Sequence, residues 1–226
     1  MFSGVFTTMR AAEQVRTDIC YQNLDVKIIA THAGISFGQA GSTHHCTEDL
    51  AIMRAMANMT VIAPADGIET ANAVRACVDY PGPVYMRIGR GFEPSCYEDE
   101  NYGFQIGKAV EMHPGSDITV ICCGITVLQA MEAARHLKET DGLSVRVINM
   151  HTLKPIDREA ILSAVNETRR IITFEDSTAT RMRPYPRPPA PFCTGGRSKT
   201  QPCLGDLTLY TTAWATRIPF ITACGG

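Results

Sequence analysis

Val26-Lys-Ile-Ile-Ala-Thr-His-Ala-Gly-Ile-Ser-Phe-Gly-Gln-Ala-Gly-Ser-Thr-His-His45 decides how this chain is read. Val26 to Ala30 is a β-rich apolar run. It runs straight into a polar loop, Thr31 to Cys46, rich in Gly, Ser, Thr and His. In α/β sheets ligands sit in loops beyond the carboxyl ends of the strands, so this loop is the place to expect a site. Three glycines and three histidines fall between Thr31 and His45. Glycine permits positive φ angles and close backbone approach. Imidazole donates to, or exchanges protons with, a reacting oxygen near neutral pH. The competing reading is a Gly-rich turn with surface histidines.

Working outward, strands and helices alternate. A helix is predicted over Met9 to Tyr21. Thr47 is placed as the N-cap of a helix to Met56, with Glu48 and Asp49 in its first turn. Thr60 to Ala63 is a short strand stopped by Pro64. Asp66-Gly-Ile-Glu69 is a capping box that opens a helix to Asp79, and Val84 to Ile88 is the next strand. A polar stretch, Gly89 to Gly103, interrupts the rhythm. It then resumes with strands at Gln105–Glu111, Asp117–Cys123, Ser144–Met150 and Arg170–Phe174. Helices are predicted at Ile125–Lys138 and from Asp157 to Thr168. The alternation gives an α/β fold class, with two three-layer α/β units and mainly parallel sheets. The divisions are residues 1–90, a linker 91–103, residues 104–176, and a tail 177–226.

The tail differs in kind. Up to Asp176 there are 15 basic and 22 acidic residues; beyond it there are 6 basic residues and one acid, Asp206, with 7 of the 13 prolines. A break this sharp marks a disordered extension or a reading frame that has slipped near Asp176. Over the whole chain 45% of residues are apolar and the formal charge is -2, which fits a packed core and argues against nucleic-acid or membrane partners. No run of 18 apolar residues exists, and the start lacks the pattern of a signal peptide. The nine cysteines include no C-x-x-C pair, so they are expected to be reduced, buried small hydrophobes in a cytoplasmic protein.

Several stretches together resemble the C-terminal section of transketolases, the form encoded as a separate subunit in many bacteria. They are Phe6 with Met9-Arg-Ala-Ala-Glu-Gln-Val-Arg16, Thr31-His-Ala-Gly34, Gly38 through His45, Asn58 through Asp66, Gly82 through Gly91, and Val147 through Asp157. The resemblance implies a pyrimidine-binding domain followed by the smaller C-terminal domain. It implies thiamine diphosphate as cofactor and transfer of a two-carbon ketol unit between sugar phosphates. The diphosphate and a divalent metal such as magnesium would be held by a partner, the N-terminal diphosphate-binding subunit, in a dimer-type assembly. By the same resemblance His32 and His44 match two active-site histidines, with His45 a further substrate contact. Arg87 matches an arginine that meets the sugar phosphate, with Arg90 as alternative. Phe6 matches an aromatic that packs on the aminopyrimidine ring.

Three departures accompany the match. The family's catalytic glutamate lies upstream of the Phe6 segment, and Glu13 is read as structural rather than as its equivalent. Ala40 stands where the family usually has an acid that touches a substrate hydroxyl. After Glu175-Asp176 the Pro/Thr-rich tail replaces a Gly-rich loop and a closing helix. Little or no ketol transfer is therefore expected from the chain alone. The rival readings are a fragment resembling 1-deoxyxylulose-5-phosphate synthase, which shares the G-x-T-H-H loop, and a non-catalytic interaction subunit or degenerate remnant.

Overall fold

The computed structural model describes residues 2–177; the stretch assigned to a tail lies, from residue 178 on, outside the described residues. Two sheets form. The first runs in the order β1 (Phe2–Ser3), β2 (Lys27–Thr31), β4 (Val84–Arg87), β3 (Thr60–Ile62), β8 (Thr152–Lys154), parallel except for β8. The second runs β5 (Val110–His113), β7 (Val145–Asn149), β6 (Ile118–Cys122), β9 (Ile171–Phe174), parallel except for β5. Helices α2 (Asp49–Ala55), α3 (Gly67–Val78), α4 (Thr126–Asp141) and α5 (Arg158–Glu167) make the crossovers.

Strand parity sorts the core of the first sheet. Val61 and Tyr85 point into one apolar cluster with Leu50, Met53 and Met59, while Ile62, Val84 and Met86 point into another with Ala73 and Cys77. Alternate residues face opposite sides of a strand, so apolar runs without polar gaps are what a sheet covered on both faces requires. Six described cysteines carry free thiols; five are buried, and Cys96 is half-buried.

Several elements differ from the sequence-based expectation. The first helical stretch begins at Phe6, winding as π-helix over Phe6–Arg10 and Val15–Cys20 around the α-helical turn Ala12–Gln14 (α1). Thr47 does not cap α2. Its hydroxyl donates to Glu48 at 3.1 Å, and α2 starts at Asp49, which is drawn inward and fully buried. The strand predicted from Gln105 starts only at Val110, because Gly107 has φ +88° and Lys108 N closes a turn onto Gln105 O. Strand β8 is additional to the expected set, and it joins the second half of the chain to the first sheet. The 91–103 segment is fastened to α3: Asp66 accepts from the backbone of Cys96 and Tyr97 at 2.8 and 3.0 Å. The caps at Asp66 and Asp157 form as expected, although Glu69 reaches the backbone N–H of Ala65 rather than that of Asp66.

His151, between β7 and β8, is 0% exposed and stacks on Phe104 with ring centroids 4.4 Å apart. Burial pulls its imidazole down from 6.5 to about 4. A depressed imidazole means the unfolded chain takes the proton first as pH falls. This contribution to stability is therefore complete above 6.5 and is lost progressively between there and about 4. Urea unfolding is expected to show about 2 kcal/mol less stability at pH 5 than at pH 8 from this group. His151→Gln is expected to remove that part of the slope; equal slopes in both proteins would refute it.

Candidate active site

The loop after β2 is a closed structure. Gly34 N donates to Cys46 O at 2.9 Å and Cys46 N returns to Gly34 O at 2.8 Å, so an antiparallel bridge forms its neck. His32 lies just before this neck in the left-handed region, φ +58°, which is strained for a residue with a side chain. Two bonds hold it there, His32 N to Gly89 O at 3.1 Å and Ala33 N to Ile88 O at 3.2 Å. Inside the loop Gly41 (φ +75°) turns the chain so that its carbonyl accepts from both His44 N and His45 N.

His32 and His44 are brought together around a residue that the sequence did not single out, Phe37. Its ring centroid lies 4.4 Å from that of His32 and 5.4 Å from that of His44. Phe6 approaches His44 edge-on at 5.5 Å, and the Arg10 guanidinium lies over the Phe6 ring. The only hint of Phe37 in the sequence is that it is the one aromatic in a Gly/Ser/Thr loop. His45 is turned back into the loop, its Nε2 on Gly38 O at 3.1 Å. A carbonyl only accepts, so that nitrogen carries the proton and ties the loop to itself. Ala40 closes the short turn Gly38–Ala40 and offers no polar group. Glu13 is exposed on α1.

Arg87, expected from the resemblance to meet a sugar phosphate, is instead enclosed at 3% exposure. Its Nε donates to Asp49 at 2.9 Å, its Nη1 to Asp176, and its Nη2 points to the carbonyls of Cys46 and Asp176 at 3.4 Å. Burial pulls the guanidinium down, but Asp176 and Asp49 outweigh it and hold it well above its ordinary value. All three nitrogens have acceptors among the described residues. Arg90, three residues on, is exposed and lies over the Phe37 ring at 5.6 Å. It also lines a cleft of about 310 Å³ with Thr31, Ala65, Thr70 and Glu93. Glu93 fixes the turn beneath it, accepting from Arg90 N and Gly91 N at 2.8 and 3.0 Å. Among the described residues no three His, Cys, Asp or Glu side chains converge as a metal site would need.

Fold and loop together define a two-sheet α/β protein that presents paired imidazoles, an aromatic ring and an exposed guanidinium at the carboxyl end of parallel strands. Residues 1–92 match the transketolase pyrimidine-binding domain and residues 107–181 the transketolase C-terminal domain, so the chain belongs to the transketolase family. One of the subunits of an apulose-4-phosphate transketolase from Phocaeicola vulgatus is 41% identical over 171 residues, 76% of this chain and 54% of that protein. A putative transketolase C-terminal section of Methanocaldococcus jannaschii is 43% identical over 174 residues, with the same shares. A split-gene transketolase solved as an inactive β4 tetramer superposes with a TM-score of 0.70 at 39% identity, covering 77% of this chain and 56% of that one. The chain spans about half the length of the curated relatives it matches.

Proposed function

We propose that this chain supplies the pyrimidine side of a thiamine-diphosphate-dependent transketolase that moves a two-carbon ketol unit between sugar phosphates in the cytoplasm. The observation that carries the reading is the convergence of His32 and His44 on Phe37 at the end of β2, beside Phe6. The residues present fit one half of such a cofactor. The half-buried Phe6 ring offers a surface for a heteroaromatic ring, and the imidazoles beside it offer N–H donors suited to oxygens that gain negative charge. We assign the diphosphate and its magnesium ion to the partner polypeptide.

When bound, the cofactor supplies the electron sink for breaking and making the carbon–carbon bond. The tasks of this chain are then orientation and electrostatics. His32 and His44 donate to the substrate oxygens and stabilise the charge that builds there. Arg90 takes the phosphate contact in place of Arg87, since its guanidinium is the exposed one at this face. His45 holds the loop. Phe6 packs on the aminopyrimidine.

The test is reconstitution with a separately produced diphosphate-binding subunit. Equilibrium dialysis with thiamine diphosphate and magnesium is expected to show binding in the mixture and not in this chain alone. No binding in the mixture would overturn the reading. Donor preference is the second readout: xylulose 5-phosphate is expected, whereas pyruvate as the only accepted donor would point to a 1-deoxyxylulose-5-phosphate synthase.

A further inference from the structure

The chain contains two Thr-His steps, Thr31-His32 at the end of β2 and Thr43-His44 in the loop that follows it. In each, the hydroxyl of the threonine sits 2.9 Å from Nδ1 of the histidine that follows it. The two imidazoles are therefore gripped at the same nitrogen by the same kind of group, although one threonine is buried and the other exposed. His45, the adjacent imidazole, is held at the opposite nitrogen, Nε2, by the Gly38 carbonyl. The loop thus contains two imidazoles whose Nε2 meets no hydrogen-bond partner among the described residues and one whose Nε2 is taken by the loop itself.

The geometry points to Thr31 and Thr43 as positioning residues: each hydroxyl donates to Nδ1 of the next residue and so keeps the ring proton on Nε2. A neutral imidazole has one donor nitrogen and one acceptor nitrogen, and the bond made at one fixes the role of the other. An Nδ1 that accepts from a hydroxyl leaves Nε2–H as the group facing outward. The aromatic packing limits the alternatives. Phe37 against His32, and Phe6 with Phe37 against His44, restrict rotation of each ring away from its threonine. This deepens the proposed function and rests on its reading that both imidazoles donate to substrate oxygens, because a donor there needs the proton on Nε2 before substrate arrives.

The experiment needs no turnover, so it stands or falls separately from the reconstitution result. The full chain is labelled with ¹⁵N-histidine, and ring-nitrogen shifts are recorded by long-range ¹H–¹⁵N correlation at pH 8. His32 and His44 are expected as Nε2–H tautomers. Thr43→Val removes the hydroxyl at constant shape and is expected to shift the His44 tautomer ratio about fivefold toward Nδ1–H. Thr43→Ser keeps the hydroxyl and restores the ratio. Thr31→Val and Thr31→Ser should do the same for His32, with Thr31→Ser guarding against a packing effect at that buried position. His151, whose Nδ1 meets Thr152 in the core, serves as the signal that must not move. Nδ1–H at either loop histidine in the unaltered chain, or an unchanged ratio in the valine variants, overturns the proposal.

Discussion

Replacing Arg87 with methionine is expected to destabilise the chain by about 3–5 kcal/mol, while Asp176→Asn costs only about 1–2 kcal/mol. The asymmetry follows from the charge count. One guanidinium lies between two carboxylates, Asp49 at 0% exposure and Asp176 at 7% side-chain exposure, so the buried cluster has a formal excess of one negative charge. One oxygen of each carboxylate already has no hydrogen-bond partner among the described residues. Removing the cation leaves two buried anions facing each other, whereas removing one carboxylate leaves a neutral pair. Tyr85 Oη still donates to Asp49 at 2.8 Å in both variants but cannot replace a counter-charge. The cluster also sits under the neck of the histidine loop: a Cβ on Gly34 would collide with the Asp176 carboxylate, and Arg87 reaches the Cys46 carbonyl on the other side of the neck. Loss of the guanidinium should therefore loosen the loop before the rest of the sheet, visible as faster amide exchange at Gly34 and Cys46. Guanidinium chloride melts decide the matter. An Arg87→Met chain that folds with unchanged stability and loses only affinity for sugar phosphates would restore Arg87 to the role the resemblance gave it.

How much of this could be seen in advance depends on the range over which each signal acts. The alternation of strands and helices, the caps at Asp66 and Asp157, and the placing of a polar loop beyond β2 rest on residues within about one turn of each other, and local chemistry sufficed. The failures are contacts across long stretches of chain. Thr47 looks like a cap until Asp49 is drawn into the core by Arg87, 38 residues away. Arg87 and Arg90 share one short motif and cannot be ranked without Asp176, 89 residues on. The strand β8 has only three residues and gains its meaning from pairing with β3. Phe37 carries no motif of its own; only the folding of the loop puts its ring between two imidazoles. Geometry of this kind is a tertiary property, and the sequence holds its parts without their distances.

Glu69→Leu is expected to cost about 4 kcal/mol and to split one unfolding transition into two. Glu69, on α3, is fully buried. One oxygen accepts from Tyr97 and Tyr102 at 3.0 and 2.9 Å and from Asn149 at 3.0 Å; the other accepts from Asn149 at 2.9 Å and from the backbone of Ala65 at 2.6 Å. These donors come from the chain before α3, from the 91–103 segment and from β7, so one carboxyl group joins the first sheet's helix to the second sheet. Burial pushes the carboxyl up, opposed by Asn149, the Ala65 amide and the two phenols. Leucine fills the volume but strips the acceptor from Ala65 N and from the Tyr97 and half-buried Tyr102 hydroxyls, while Asn149 Nδ2 keeps Tyr97 Oη at 2.9 Å; each donor left unmet costs about 1–3 kcal/mol, less whatever relaxation recovers. Glu69→Gln keeps one acceptor oxygen but turns an amide toward donors, and should cost about half as much. Tyr102→Phe removes a single donor from a carboxyl that keeps its others, so a loss of about 1 kcal/mol is expected. The order Leu, Gln, then Tyr102→Phe is what a shared acceptor predicts. Equal losses in all three, or a single sharp transition retained in Glu69→Leu, would mean that apolar packing between the sheets, rather than this carboxyl, keeps them together.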